Sequence, residues 1–298
     1  MKTVVFYFTQ SGQALEAAKS ICKPLGNGED KVIYKPIISS KPYPFPWSAA
    51  SFFEIFPETR LGMPPIGIEP FDYDDILDAD LVMVVGQSWY LSPSVPLQSF
   101  FTHPQVVEYL NGRDVVFVNV CRNMWLNTLY KIKDYIKNAN ARLVGHIVLQ
   151  DKTPNLISVI TIIRWLVYGK KTSRFLPQAG VSHDDMENAG IFGEIIKDSP
   201  RNVLQKKLLE SGAIDYKPSV LFVEKVGHRM FGLWAKFIRK KGEYGDPKRR
   251  FRVKLFSIYL MMVLFLVSPF GVLFFWLTYP FRRIAAHRQS DCNLEVNT

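Results

Sequence analysis

Apolar positions in this chain fall into short unbroken runs, separated by stretches that repeat apolar residues at helical spacing. Val4–Phe8, Lys31–Pro36, Asp80–Gly86, Asp114–Val120 and Ala141–Leu149 are the short runs. Each is bounded by a polar turn, so each reads as a strand, buried on both faces where the run is wholly apolar. Ala14–Cys22, Leu97–Leu110 and Leu126–Ile136 lie between them and carry the helical period. Strands that alternate with helices predict an α/β domain, a doubly wound parallel sheet of five strands with helices on both faces.

Two regions break the alternation. The stretch between Pro42 and Pro70 holds seven prolines among many large apolar residues. It reads as a long ordered insertion, residues 40–72, because a floppy linker would be poorer in such side chains. Beyond residue 150 the pattern changes again. Leu156–Tyr168 is mostly apolar, with Arg164 its one charge. It is too short to span a bilayer and reads as an interfacial helix or the closing helix of the sheet. Ser182–Ser211 is mixed and helical, and SVLFVEK, Ser219–Lys225, reads as a late strand.

Leu255–Tyr279 then runs 25 residues without a charge. As a helix it would be about 37 Å long, enough to cross a hydrocarbon core of about 30 Å. Ser268-Pro269-Phe270-Gly271 interrupts it, which leaves a kinked single span or a re-entrant hairpin. The domain reading is therefore 1–200 for the α/β domain, 201–254 for a basic helical connector and 255–281 for a membrane anchor.

Charge sharpens this picture. The net charge of the 298 residues is +10. Between Lys225 and Lys254 there are eleven Lys or Arg against two acids, Glu243 and Asp246. The excess abuts the apolar run, with Arg282, Arg283 and Arg288 beyond it, so it points to an anionic membrane surface rather than to nucleic acid. Three cysteines, Cys22, Cys121 and Cys292, fit a reducing compartment better than a disulfide framework. A strand begins almost at once after Lys2, so no signal peptide is expected. No metal constellation and no supported Ser-His-Asp order is present.

Candidate chemistry sits in three loops at strand ends. TQSGQA, Thr9, Gln10, Ser11, Gly12, Gln13 and Ala14, leaves the first strand and opens a helix. Helix amides, two hydroxyls and a glycine make a phosphate site. The loop has no lysine, no Walker pattern and no G-x-G-x-x-G, which argues against a nucleoside triphosphate or a dinucleotide. Val5, Phe6, Tyr7, Thr9, Gly12 and Ala18 together resemble the flavodoxin signature, with Ala14 where that family usually has Thr. The resemblance implies a flavodoxin-like fold and FMN as cofactor, with one hydroxyl contact to the phosphate lost. It further implies that the loop after the third strand, Gln87, Ser88, Trp89 and Tyr90, and the loop Cys121, Arg122 and Asn123 touch the flavin ring. Arg122 or Asn123 would donate to the N1–O2 edge.

The FYFTQSGQ start, the YPFPW…FFEIFPE insertion and the GQSWYLSPS loop are similar to the dialkylresorcinol-biosynthesis family DarA. That resemblance implies an FMN-dependent oxidoreductase in bacterial secondary lipid or polyketide biosynthesis. A ketosynthase-type partner would supply a dialkylcyclohexane-1,3-dione, and this chain would dehydrogenate it to a dialkylresorcinol. The implied place is the cytoplasmic face of the bacterial inner membrane. Tyr90, Arg122 and His103 are the catalytic candidates, while His146 lies in a strand pattern and reads as a core residue. Tyr43, Phe45, Trp47, Phe52, Phe53 and Phe56 either roof an apolar pocket over the flavin or build a satellite core. Two other readings stand beside this one: a membrane-associated electron carrier or quinone reductase, and a flavin-free scaffold for a ketosynthase.

Overall fold

The computed structural model describes residues 1–267. The strands are β1 (Lys2–Tyr7), β2 (Lys31–Pro36), β3 (Leu81–Trp89), β4 (Ser92–Pro93), β5 (Asp114–Cys121) and β6 (Arg142–Gln150). Five of them form a parallel sheet in the order β2-β1-β3-β5-β6. Numbered among themselves these five run 2-1-3-4-5, the flavodoxin-like doubly wound order, with its switch point between β1 and β3. The sequence reading gave five strands. The sixth, β4, is a two-residue antiparallel addition to β3, too short to leave a periodic signal.

Helices cover both faces. On one side α1 (Gln13–Cys22) lies with α8 (His183–Asn188), α9 (Gly190–Asp198) and α10 (Leu204–Glu210). Ala14, Ala18, Ile21, Phe192 and Leu208 pack there against Val5, Met83 and Val118. The other side carries α4 (Val95–Thr102), α5 (Pro104–Leu110) and α6 (Leu126–Asn138), whose Phe100, Leu129 and Ile132 meet Phe6, Val84 and Phe117. Alternate residues of one strand feed opposite cores, as the pleat requires.

Predicted Leu97–Leu110 is two helices. His103 is extended (φ −72°, ψ 126°) ahead of Pro104, because the residue before a proline is pushed out of the helical region. The predicted strand Ser219–Lys225 is wrong. It opens α11 (Pro218–Arg239), with Pro218 in the first turn and Phe231, Ala235 and Ile238 continuing a buried stripe. That helical period emerges only beyond the seven residues read as a strand.

The insertion forms α2 (Ala49–Glu54) and α3 (Phe56–Leu61). After β6, α7 (Asn155–Tyr168) carries the thirteen-residue apolar stretch. The basic segment completes α11 and then enters α12 (Arg250–Met262), which continues as a π turn over Val263–Val267. Within α12, Val253, Phe256 and Leu260 are buried against α2, α3 and α11; Phe256 stacks on Phe56 at 3.6 Å. The first half of the predicted membrane run is therefore partly spent on protein contacts. No helix among the described residues is long and apolar enough to cross a membrane. Residues 268–279, the Pro-Gly interruption, Arg282, Arg283, Arg288 and Cys292 lie outside the described residues.

Candidate functional site

The three predicted loops leave neighbouring strands at one edge of the sheet, which is where ligands sit in open α/β folds. Their fates differ. In the first loop, Gly12 caps α1 in a left-handed conformation (φ 93°), and nothing occupies the space a Cβ would take. The Thr9 hydroxyl is buried without a partner, and Ser11 is half-buried beside it in sequence. The Gln10 side-chain amide donates to the Pro44 carbonyl at 2.9 Å. Gln13 is withdrawn from any ligand: its Nε2 donates to Val181 O and its Oε1 accepts from Val181 N. The Ala14 side chain faces the core. Of Gln13 and Ala14, only the backbone can serve a phosphate.

The second loop is a strained hairpin. Ser88 and Trp89 pair with Pro93 and Ser92, and the connecting Tyr90 (φ 49°) and Leu91 (φ 59°) are both left-handed. Two positive φ angles in a two-residue turn ordinarily select Asn-Gly. Two bulky residues there hold strain of a kind that gathers at ligand sites. The turn directs both side chains into a cavity of about 340 Å³. The Tyr90 hydroxyl donates to the Phe52 carbonyl at 2.6 Å, and desolvation pushes its pKa well above that of an ordinary phenol. Tyr90 is thus a fixed neutral group rather than a proton acceptor, contrary to its expected catalytic role. Ser88 is tied to Asn119 and Thr128, and Gln87 sits half-buried in β3, pairing with Val120 of β5. The Trp89 ring meets Phe8, Tyr43 and Trp47 edge-to-face at 5.5 to 5.8 Å. It is not a free stacking face.

The third loop lines the same cavity with Cys121, Arg122, Asn123 and Met124. Asn155, the first residue of α7, holds it: its Oδ1 accepts from Arg122 Nη1 at 2.7 Å and from Asn123 Nδ2 at 3.0 Å. Asn123 Oδ1 is buried without a partner. Burial lowers the Arg122 guanidinium to about 10, so it stays charged at neutral pH. Burial raises the Cys121 thiol far out of the nucleophilic range. Behind the loop, the buried Glu224 of α11 accepts from the amides of Leu126 and Asn127 and caps α6. Asn155 and Glu224 were not legible as site residues. The only local sign of Asn155 is Pro154 before an apolar helical run.

The remaining walls come from Phe52 and Phe53 of the insertion and from apolar residues of α7, α11 and α12. The insertion therefore contributes both to the cavity wall and to packed cores. Phe52 and Phe53 wall the cavity, Tyr43, Phe45 and Trp47 build a small core with Val95, and Phe56 joins the α11–α12 core. His103 stays at the α4–α5 junction and is not a wall of the cavity. His146 is wholly buried in β6 beside Phe117 and Trp125. Thr9–Ala14 also lie outside the cavity walls, with the Phe8–Trp89 contact joining the first loop to the second.

No protein-family model matches the chain, and no curated protein matches it. Solved structures do. A flavoprotein in complex with FMN from Lactobacillus acidophilus shares 16% identity over 49% of this chain and 92% of its own, at a TM-score of 0.39. A flavodoxin, WrbA-like protein from Agrobacterium tumefaciens shares 12% over 69% and 98%, also at 0.39. A putative flavoprotein from Bacteroides eggerthii shares 19% over 57% and 99%, at 0.37. At scores this low the strand order, not the likeness, carries the fold.

The residues fit FMN at both ends. The orphaned Thr9 hydroxyl, the amides opening α1 and the open Gly12 suit a phosphate. The strained Tyr90-Leu91 turn, Arg122 and the orphaned Asn123 Oδ1 suit a polar ring edge.

Proposed function

We propose that this chain is an FMN-dependent oxidoreductase acting on an apolar ring substrate. The carrying observation is the cavity. Its walls are almost wholly apolar, its polar lining includes Ser88, Arg122, Asn123 and Asn155, and the loops after β3 and β5 form part of it. Thr9, Ser11, Gly12 and the first turn of α1 would hold the phosphate. When bound, FMN supplies a two-electron acceptor for dehydrogenation.

The cavity contains no carboxylate, imidazole or amine among its described walls. It offers one cation, Arg122, and no base. That suits a substrate acidic enough to enolise unaided. A 1,3-dione is such a substrate, and its enolate would lie against the Arg122 guanidinium. The dialkylcyclohexane-1,3-dione implied by the family resemblance meets both demands, with its alkyl tails along Val159, Ile163, Phe231 and Leu264. On this reading Asn155 positions Arg122, and Tyr90 braces the wall by its bond to Phe52. A ketosynthase-type partner remains the proposed source of the dione.

The test is a titration of the purified full chain with FMN, followed by flavin fluorescence, and then anaerobic addition of a dialkylcyclohexane-1,3-dione. Quenching on binding and bleaching of the flavin bands, with resorcinol formed, support the reading. Binding without bleaching by the dione, but with bleaching by a nicotinamide nucleotide and recolouring by a quinone, would make it a quinone reductase. No binding would leave the scaffold reading.

A further inference from the structure

The outer faces of α11 and α12 are unusual. On α11 the exposed side chains Val226, Met230, Leu233 and Phe237 recur at helical spacing, interleaved with Arg229, Lys236 and Lys240. Leu233 is 63% exposed. On α12, Phe251 (71% exposed), Ile258 and Met262 alternate with the exposed Arg250 and Lys254. The two faces join where Arg252 lies over the Phe237 ring at 3.9 Å. An apolar stripe edged by cations matches an interfacial helix in an anionic bilayer.

Charge decides the occupant. Of the eleven cations between Lys225 and Lys254, Arg239 and Arg249 are spent on Glu58 and Arg252 on Phe237. The other eight make no ion pair among the described residues. A second copy of this face would set like charges against each other. An anionic surface would neutralise them, at about 1 kcal/mol for each residue near the head groups.

The cavity shares its wall helices with exposed apolar positions. On α7, Val159, Ile163 and Val167 line it, while Leu156, Ile157 and Ile160 on the adjoining stripe are exposed. On α12, Leu260 and Met261 line it, while Ile258 and Met262 are exposed. On both helices, wall residues and exposed apolar residues are thus near neighbours in the chain.

We infer that the outer faces of α11 and α12 seat on an anionic lipid bilayer, and that the cavity takes an alkyl-chain amphiphile laterally from that bilayer between α7 and α12. The inference goes beyond the redox reading and stands on the cavity and the surface alone.

The experiment is flotation of the full-length chain with vesicles of phosphatidylcholine alone and of equimolar phosphatidylcholine and phosphatidylglycerol. The expected result is binding to the mixed vesicles that weakens with salt. The double variant Leu233→Glu/Phe237→Glu is expected to lower binding about tenfold or more, and so is Ile157→Glu/Ile160→Glu on α7. Both pairs are at exposed positions, and an FMN titration without vesicles reports separately on the flavin reading. Three results would overturn the inference. One is equal binding of wild type and both variants to either vesicle, which would assign the association to residues 268–279. Another is a vesicle-free dimer dispersed by Leu233→Glu/Phe237→Glu. The third is loss of binding in the α11 pair alone, which would remove the lateral mouth.

Discussion

The Arg249 guanidinium, wholly buried, grips the Glu58 carboxylate with Nη1 and Nη2 at 2.6 and 2.8 Å. Glu58 lies on α3 in the insertion and Arg249 at the start of α12, so the pair bolts the aromatic insertion to the C-terminal helices. Glu54 adds its backbone carbonyl at 2.6 Å, and Arg239 a second cation at 3.3 Å. Removing one partner strands a buried charge, which costs about 3–5 kcal/mol. Glu58→Leu is therefore expected to lower stability by that amount in urea unfolding. Glu58→Leu/Arg249→Met should recover part of it, because the wholly buried guanidinium is gone, while Glu54 and Arg239, each partly exposed, lose a partner. A double variant as unstable as the sum of the two single variants would show that the pair acts through something other than mutual neutralisation.

Thr9 and Gly12 separate a phosphate loop from an ordinary strand-to-helix turn. Thr9→Val removes the orphaned hydroxyl while keeping shape. If that hydroxyl bonds a charged phosphate, the loss is about 1.5–3 kcal/mol, an increase of roughly ten- to a hundredfold in the FMN dissociation constant. Riboflavin, which lacks the phosphate, should bind Thr9→Val and wild type alike. A Thr9→Val chain that binds FMN as the wild type does would remove Thr9 from the site.

Much of this was legible in the chain. Strands buried on both faces give unbroken apolar runs, so β1, β3 and β5 announce themselves, and the loops that follow them must share one edge. What was not legible came from distant contacts. Asn155 holds Arg122 across 33 positions and Glu224 caps α6 across 97; neither has a local signal. Trp89 looked like a free stacking ring because sequence cannot show that Tyr43 and Trp47 fold back onto it. Ser219–Lys225 looked like a strand because Val220–Val223 is a short unbroken apolar run, while the stripe that makes it helical lies further on. Leu255–Val267 looked uniformly lipid-facing because hydropathy cannot tell a lipid from Phe56.

His146 gives the fold an acid-sensitive element. It is wholly buried against Phe117 and Trp125, and desolvation lowers its pKa from 6.5 to about 3. The unfolded chain therefore takes up a proton that the folded one refuses between those values. Stability from this group is full above pH 6.5 and falls as pH drops toward 3, by up to about 1.4 kcal/mol per pH unit. His146→Phe keeps the ring stacking and deletes the titration. Its unfolding free energy should depend less steeply on pH across that window, which urea titrations at several pH values would show. Parallel profiles for variant and wild type would mean that His146 is protonated in the fold.

Gly227 permits a test of the cavity that does not depend on damaging the protein. It lies within α11 and lines the cavity, and a Cβ there would sit 3.3 Å from Leu91 Cδ1, a movable side-chain end. Gly227→Leu replaces a poor helix former with a good one, a gain of about 0.8 kcal/mol against some crowding at Leu91. It also places a branched side chain in the space assigned to an alkyl tail. Stability should hold and FMN binding should persist, because the phosphate loop is elsewhere, Arg122 and Asn123 lie on another loop, and the Leu91 side-chain end can yield. Binding of the dialkylcyclohexane-1,3-dione should weaken about tenfold or more, as overfilling a packed apolar site costs about 1–3 kcal/mol. An unchanged affinity for the dione, in a folded Gly227→Leu chain that still binds FMN, would place the substrate somewhere other than between α7, α11 and α12.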